Sequence, residues 1–414
     1  VLALARKTLT RDSANRKQAN EIEEGLCFLG LVGLMDPPRA DVIEAVKATR
    51  TAGLRIIMIT GDFGLTADGI AHATGISQER LTRIITGYDL DNLSEEDLKK
   101  ELTEHREIIF ARATPEHKLR VVTALESLGE VVAVTGDGVN DAVALKQADI
   151  GIAMGLAGTD VARAASEMVL LDDSFASIIR AVRYGRSIYD NIRRVVIYLF
   201  SHNMAELMPY LFATVARIPL VPLNALQVLA IDLGSDVLPA LALGGEAPEP
   251  DVMQRSPRPR KSRLLDRNTI GRILFLGGIQ STGAIVAFVT VLLMGGWVWG
   301  TTLPVHDALY RHAITATQAA IVVSQIFNSF AVRTSFDSVF KKGLFSNRRL
   351  LFAQVFSVFL ICLISYWHPL QSIFNTAPLT AYDWIIVTGF GALLFAAEET
   401  RKGVLRARVR SRTI

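Results

Sequence analysis

The chain has 414 residues, 50% of them hydrophobic and 21% charged, with a formal net charge of +3 and a mean hydropathy of +0.31. So small a positive excess gives no ground for a nucleic-acid partner, and two cysteines far apart in unlike settings, Cys27 and Cys362, argue against a disulfide framework. The average hides a division. Up to about Arg194, charged helical patterns alternate with short apolar runs; beyond it come apolar stretches of the ~20 residues that cross a ~30 Å hydrocarbon core.

The chain opens Val-Leu-Ala-Leu, with neither Met nor a basic-then-apolar leader, and so reads as a piece of a longer protein. Residues 26–35, 54–60, 107–111, 130–135, 149–153 and 167–171 read as strands, with helical patterns between most of them. That alternation predicts an α/β domain with a parallel sheet, helices on both faces and ligands beyond the carboxyl ends of the strands. Polar clusters fall at those ends. Thr60, Gly61 and Asp62 follow the second strand; Arg112 follows the third, with Lys118 at the next helix start; Asp137, Asn140 and Asp141 follow the fourth. A threonine hydroxyl and backbone N–H groups can hold phosphate oxygens, a lysine can neutralise them, and paired aspartates on one loop suit Mg²⁺. Glycines 136 and 138 let the backbone turn sharply between the acids. This set predicts phosphoryl transfer.

Six membrane helices are predicted, at roughly 195–216, 222–243, 272–294, 313–332, 350–367 and 382–397. Lys and Arg crowd into 255–267, 333–349 and 401–412 and are scarce in the other connections, so the positive-inside rule puts the soluble half, those loops and the tail on the cytoplasmic side. A carboxylate at mid-membrane costs about 2.5–3.5 kcal/mol on insertion scales, so each one needs a reason. The first span carries Asn203 and Glu206, the second Asp232, Ser235 and Asp236, the fourth Gln325 and Asn328. Their spacings put each set on one helix face, so three helices could point oxygens into one place. Gly234 interrupts the second span, and Pro209 and Pro239 are positioned to kink the first two. Oxygen-only ligands favour a hard cation, and no Cys-Pro-Cys of a copper or zinc exporter occurs.

Met-Ile-Thr-Gly-Asp (58–62), Asp-Pro-Pro-Arg (36–39), Thr-Gly-Asp-Gly-Val-Asn-Asp (135–141), Gly-Ile-Ala-Met-Gly (151–155) and Ala-Ser-Glu-Met-Val-Leu (165–170) resemble the motifs of P-type ATPases. The resemblance implies a haloacid-dehalogenase-like phosphorylation domain over 21–190, the end of a nucleotide-binding domain at 1–20, and membrane helices five to ten of the family over 191–414. In it, Thr60 and Lys118 would contact an aspartyl phosphate, and Asp137 would bind Mg²⁺ with Asn140 and Asp141 in support. Arg112 would approach ATP, and Asp36 and Arg39, at the domain hinge, would be nucleotide-binding residues with it.

Ser-His-Asn-Met-Ala-Glu (201–206) and Ile-Asp-Leu-Gly-Ser-Asp-Val-Leu-Pro-Ala (231–240) are similar to the fifth and sixth helices of the calcium and sodium/potassium pump branch. Gln325 and Asn328 match ligand positions of the eighth. This implies an integral pump of the plasma membrane for a hard cation, with calcium the first expectation and sodium or potassium the second. Phe63 departs from the Asn or His usual after Thr-Gly-Asp. No Asp-Lys-Thr-Gly-Thr occurs, so the phosphorylated aspartate and the N-terminal part of such a pump are partners the chain lacks, and alone it is expected neither to form a phosphoenzyme nor to pump. The rival readings are a membrane-anchored phosphatase of the same fold and a non-catalytic cation-binding subunit or pseudo-pump.

Overall fold

A computed structural model describes residues 2–8, 23–33 and 37–413, apart from the side chains of 409–410 and 412–413. The chain forms two compact units, Val1–Ile179 and Arg180–Ile414.

The first unit begins with β1 (Leu2–Arg6) and β2 (Cys27–Val32), an antiparallel ladder. Then follow α1 (Ala40–Thr51), β3 (Met58–Ile59), α2 (Gly64–Thr74), β4 (Arg83–Thr86), α3 (Gly87–Asn92), α4 (Glu95–Glu104), β5 (Ile108–Ala111) and α5 (Pro115–Ser127). β6 (Ala133–Gly136), a 3₁₀ turn (Val139–Asp141), α6 (Ala142–Gln147), β7 (Ile150–Met154), α7 (Asp160–Ala165) and β8 (Met168–Leu170) complete it.

The strands pair in parallel as expected, but in two sheets, ordered β3-β5-β4 and β6-β7-β8. β3 and β6 each keep one edge unpaired among the described residues. The run 26–35 yields β2, which stands outside both sheets because it pairs antiparallel with β1. β4 is an Arg-Ile-Ile-Thr strand too short for periodicity to reveal.

The two sheets share a core. Val132 and Ala148, which flank the second sheet, pack with Ile85, Ile108 and Phe110 of the first and with Val121 and Val122 of α5. β5 is its centre, buried at every residue, and each large side chain there contributes about 1.5–3 kcal/mol. Capping sets the helix starts. Thr114 and His117 form a reciprocal capping box at α5, with Pro115 in its first turn.

The second unit is helical. α8 (Phe175–Val215) starts just before it, and α9 (Ala225–Ala230) passes through a π-helical turn (Ile231–Asp236) into α10 (Val237–Gly244). α11 (Arg267–Met294), α12 (Ala308–Ala331), α13 (Val339–Lys342), α14 (Arg348–Tyr366), α15 (His368–Phe374) and α16 (Ala381–Thr413) follow. Every expected span is a helix, and the basic tail continues the last of them to Thr413. Among the described residues, four helices are long and apolar enough to cross a membrane. The other two, α8 and α12, carry His202, Asn203, Glu206, Gln325 and Asn328, and that polar content lowers their hydropathy.

α8 continues through Pro209. The expected break at Gly234 is instead a widened turn in a continuous helix. Pro239 has no N–H to give the Ser235 carbonyl, which accepts the Ser357 hydroxyl at 3.4 Å. A side chain at Gly234 would strike Leu360 of α14, with its Cβ 2.3 Å from that residue's Cδ2.

Several basic residues read as topology signals also have ion-pair partners. Arg333, fully buried, pairs with Glu246 at 2.9 Å, and Arg255 pairs with Asp190 and Asp251 at 2.7 Å each. Lys402, also fully buried, pairs with Glu399 at 2.8 Å and donates to the Ala331 carbonyl at 2.7 Å. Arg194 binds Glu249, and Arg272 binds Glu398 at 2.7 Å. Charges so deeply buried persist only when paired.

Candidate functional site

Each unit holds one constellation. In the first, β3 delivers Thr60, Gly61 and Asp62 to the carboxyl end of its sheet. The Ala113 N–H donates to the Thr60 carbonyl at 2.9 Å and the Arg112 N–H to the Asp62 carbonyl at 3.0 Å, which zips the loops after β3 and β5 together. The Asp62 N–H donates to the Thr60 hydroxyl oxygen at 3.1 Å, so the hydroxyl keeps its own proton to offer a ligand.

Arg112 sits at φ +53°, which lets the chain turn directly into the capped start of α5. Its guanidinium lies 5.9 Å from the centre of the Phe63 ring, within cation–π range. The departure at Phe63 therefore supplies a platform for Arg112.

Lys118, on the first turns of α5, donates to Asp141 at 2.5 Å. The other Asp141 oxygen accepts the N–H groups of Asp137 and Gly138 at 3.2 Å each. Asp141 is thus a buried brace that fixes the loop and aims the lysine. A Cβ at Gly136 would lie 2.5 Å from that of Asp141, so the fit requires glycine. Asp137 and Asn140 are exposed on the same loop. One open carboxylate on a loop also able to receive phosphate suits Mg²⁺, which keeps several waters and takes few protein oxygens.

Arg39 is not near these groups in the bonds it makes. It donates to the Asp173 carbonyl at 2.9 Å, while Ser174 donates to Asp41 at 2.5 Å, tying the start of α1 to the segment after β8. Those bonds suit a hinge. Asp36 lies outside the described residues.

The second constellation joins three helical segments. Asp236, at the end of the π turn, accepts through Oδ1 from Gln325 Nε2 at 3.0 Å and Tyr198 OH at 3.3 Å. Asn328 donates to Ser201 at 2.9 Å and to Gln325 at 3.4 Å. Ser235, Asp236, Gln325 and Asn328 are all buried. The acids meet around a residue that spacing had not singled out. His202 Nε2 lies 3.2 Å from Asp236, 3.3 Å from Glu206 and 4.0 Å from Asp232.

Two expectations change here. Asn203 is exposed and takes no part, because His202 and Glu206, four apart, share the inward face that Asn203 leaves by about 100°. The donor set is not oxygen-only, since an imidazole stands at its centre. No sequence signal isolates His202: its burial and its meeting with the acids belong to the tertiary fold.

A family model described as haloacid dehalogenase-like hydrolase matches residues 4–149, and one described as cation transporting ATPase, C-terminus, matches 220–404. The chain is 40% identical over 373 residues to the calcium-transporting ATPase of Bacillus subtilis (strain 168), covering 90% of this chain and 40% of that protein. It is 37% identical over 440 residues to the potassium-transporting ATPase alpha chain 1 of Xenopus laevis, covering 94% of this chain and 43% of that one. It is 37% identical over 430 residues to the sodium/potassium-transporting ATPase subunit alpha-2 of Gallus gallus, covering 92% and 42%. The chain spans about two-fifths of the length of these curated relatives.

Proposed function

This chain belongs to the cation-transporting P-type ATPases, and on that premise we propose that it supplies the phosphate-handling groups and the cation-binding helices of an ATP-driven pump. The observation that carries the reading is the meeting of Glu206, Asp232 and Asp236 around one point in a helical unit that has membrane-length spans. Three acids gathered there are costly unless a cation compensates them.

In the first unit, the Thr60 hydroxyl and the Lys118 ammonium hold phosphoryl oxygens and Asp141 positions that ammonium, while Asp137 would hold Mg²⁺, whose charge would offset that of the phosphoryl group. Arg112 on its Phe63 platform faces the nucleotide. The phosphorylated aspartate is supplied from outside this sequence, which holds no Asp-Lys-Thr-Gly-Thr. α8 carries His202 and Glu206 and runs unbroken from Phe175, and we assign it the coupling of phosphate chemistry to cation affinity. The basic loops and tail face the cytoplasm, and the plasma membrane is the proposed location. Calcium is the proposed cargo and sodium or potassium the alternative, and both kinds of transport stand in the names of the relatives.

The test is cation-stimulated ATP hydrolysis by the full-length protein. Glu206→Gln and Asp236→Asn should each remove the stimulation, by about tenfold or more, while ATP still binds. Stimulation that survives both substitutions sinks the reading.

A further inference from the structure

One buried histidine of the first unit has no part in the chemistry described so far. His117 is 7% exposed in the first turn of α5, between Arg112 and Lys118 in the chain. Its ring ties α5 to α3 at two points. Nδ1 accepts the Thr114 N–H at 3.1 Å, so the ring proton sits on Nε2, which donates to the Asp91 carboxylate of α3 at 2.7 Å. A Cβ at Gly87, the first residue of α3, would lie 3.0 Å from His117 Cε1 and 2.4 Å from the Arg112 carbonyl oxygen. Ring and carbonyl therefore rest side by side on bare backbone. A glutamate in the same capping position could accept the Thr114 N–H but, once ionised, has no proton to give Asp91.

From this geometry we infer that His117 is a positioning residue for phosphoryl transfer: its imidazole, latched to Asp91 and seated on Gly87, fixes the turn that carries Arg112 at one end and Lys118 at the other. Arg112 needs such a hold, since its φ of +53° is a conformation that an arginine keeps only where the surroundings impose it. Lys118 is tied to the same point, because its N–H donates to the Thr114 carbonyl at 3.1 Å. Asp91 is a firm anchor. Arg120 of α5 donates to the Leu93 carbonyl at 2.5 Å and to Glu95 at 2.6 Å, which braces the end of α3. The inference rests on the pump reading, in which Arg112 serves the nucleotide and Lys118 the phosphoryl group.

The experiment is ATP-dependent phosphoenzyme turnover by the purified full-length pump, scored per folded molecule, with KM for ATP and turnover separated. His117→Leu keeps bulk but neither bond, and should lower turnover about tenfold and raise KM for ATP as well, since one turn carries both groups. His117→Gln can accept through Oε1 and donate through Nε2, and should stay within about threefold of the unmodified protein. In case His117→Leu fails to fold, Asp91, whose side chain is 67% exposed, gives the same contrast. Asp91→Ala removes the acceptor and should lower turnover, whereas Asp91→Asn keeps one in Oδ1 and should not. Unchanged kinetics per folded molecule in His117→Leu, a Gln variant as impaired as the Leu variant, or equal turnover in the two Asp91 variants would each overturn the inference and leave the pump reading standing. An unmodified full-length protein that forms no phosphoenzyme removes the pump reading and the inference together.

Discussion

Lys118 and Asp141 are the pair on which the first constellation turns, since Asp141 is bonded to the lysine and to two backbone amides at once. Replacing Asp141 with Asn keeps the volume but removes the charge opposite a partly buried ammonium, a loss of about 2–4 kcal/mol. Phosphoenzyme turnover in the full-length protein should fall with it, and Lys118→Met should abolish turnover while leaving more of the fold. Both are read by acid-quenched phosphate labelling.

A second acid sets a pH limit. Burial would raise the Glu107 carboxyl, but the N–H groups of Gln78 and Glu79, the Arg50 guanidinium and the Ser77 hydroxyl outweigh it and hold its pKa at about 2, below the ordinary 4.5. A depressed folded value means the stabilisation is complete above about pH 4.5 and vanishes as pH falls through about 2, a span worth roughly 2–3 kcal/mol. Exchange of the Gln78 and Glu79 amides should accelerate across that window, and Glu107→Gln should make it fast already at neutral pH. At this scale the sequence was most legible where residues cluster locally, as in 135–141. His202 was not isolated because its meaning depends on α9 and α12, which only the tertiary fold brings to it.

Among elements, β6 and its loop work only because Gly136 lets Asp141 fold back against the strand end. Gly136→Ala should shift that carboxylate, destabilise the first unit by about 1–3 kcal/mol and slow phosphoryl transfer, which thermal unfolding and turnover measured on one preparation would check. Helix existence was readable throughout the second unit, since twenty apolar residues leave few alternatives. The π turn was foreseen only as a break at Gly234. Sequence marks the weak point in a helix, but whether the backbone opens or merely widens depends on donors such as the Ser357 hydroxyl that arrive from elsewhere. The division of the strands between two sheets is illegible in the sequence for a similar reason: pairing partners are not encoded in the spacing of a single strand.

For the whole molecule, the exposed apolar faces of the β1–β2 ladder matter. Phe28 and Leu31 are 64% and 67% exposed, and a two-stranded ladder is marginal without cover. The remainder of the pump is the proposed cover. Sidedness is testable too. Single cysteines introduced at 260 and 345 should be labelled from the cytoplasmic face of sealed vesicles, and one at 300 from the opposite face; labelling of all three from one side contradicts the topology.

The buried pairs Arg194–Glu249, Arg333–Glu246 and Arg272–Glu398 have a practical outcome. Molar salt shortens the reach of exposed charges to about 3 Å, yet little of it enters sites closed to solvent. Washing membranes in concentrated salt should strip loosely attached proteins while this end of the helix bundle stays locked.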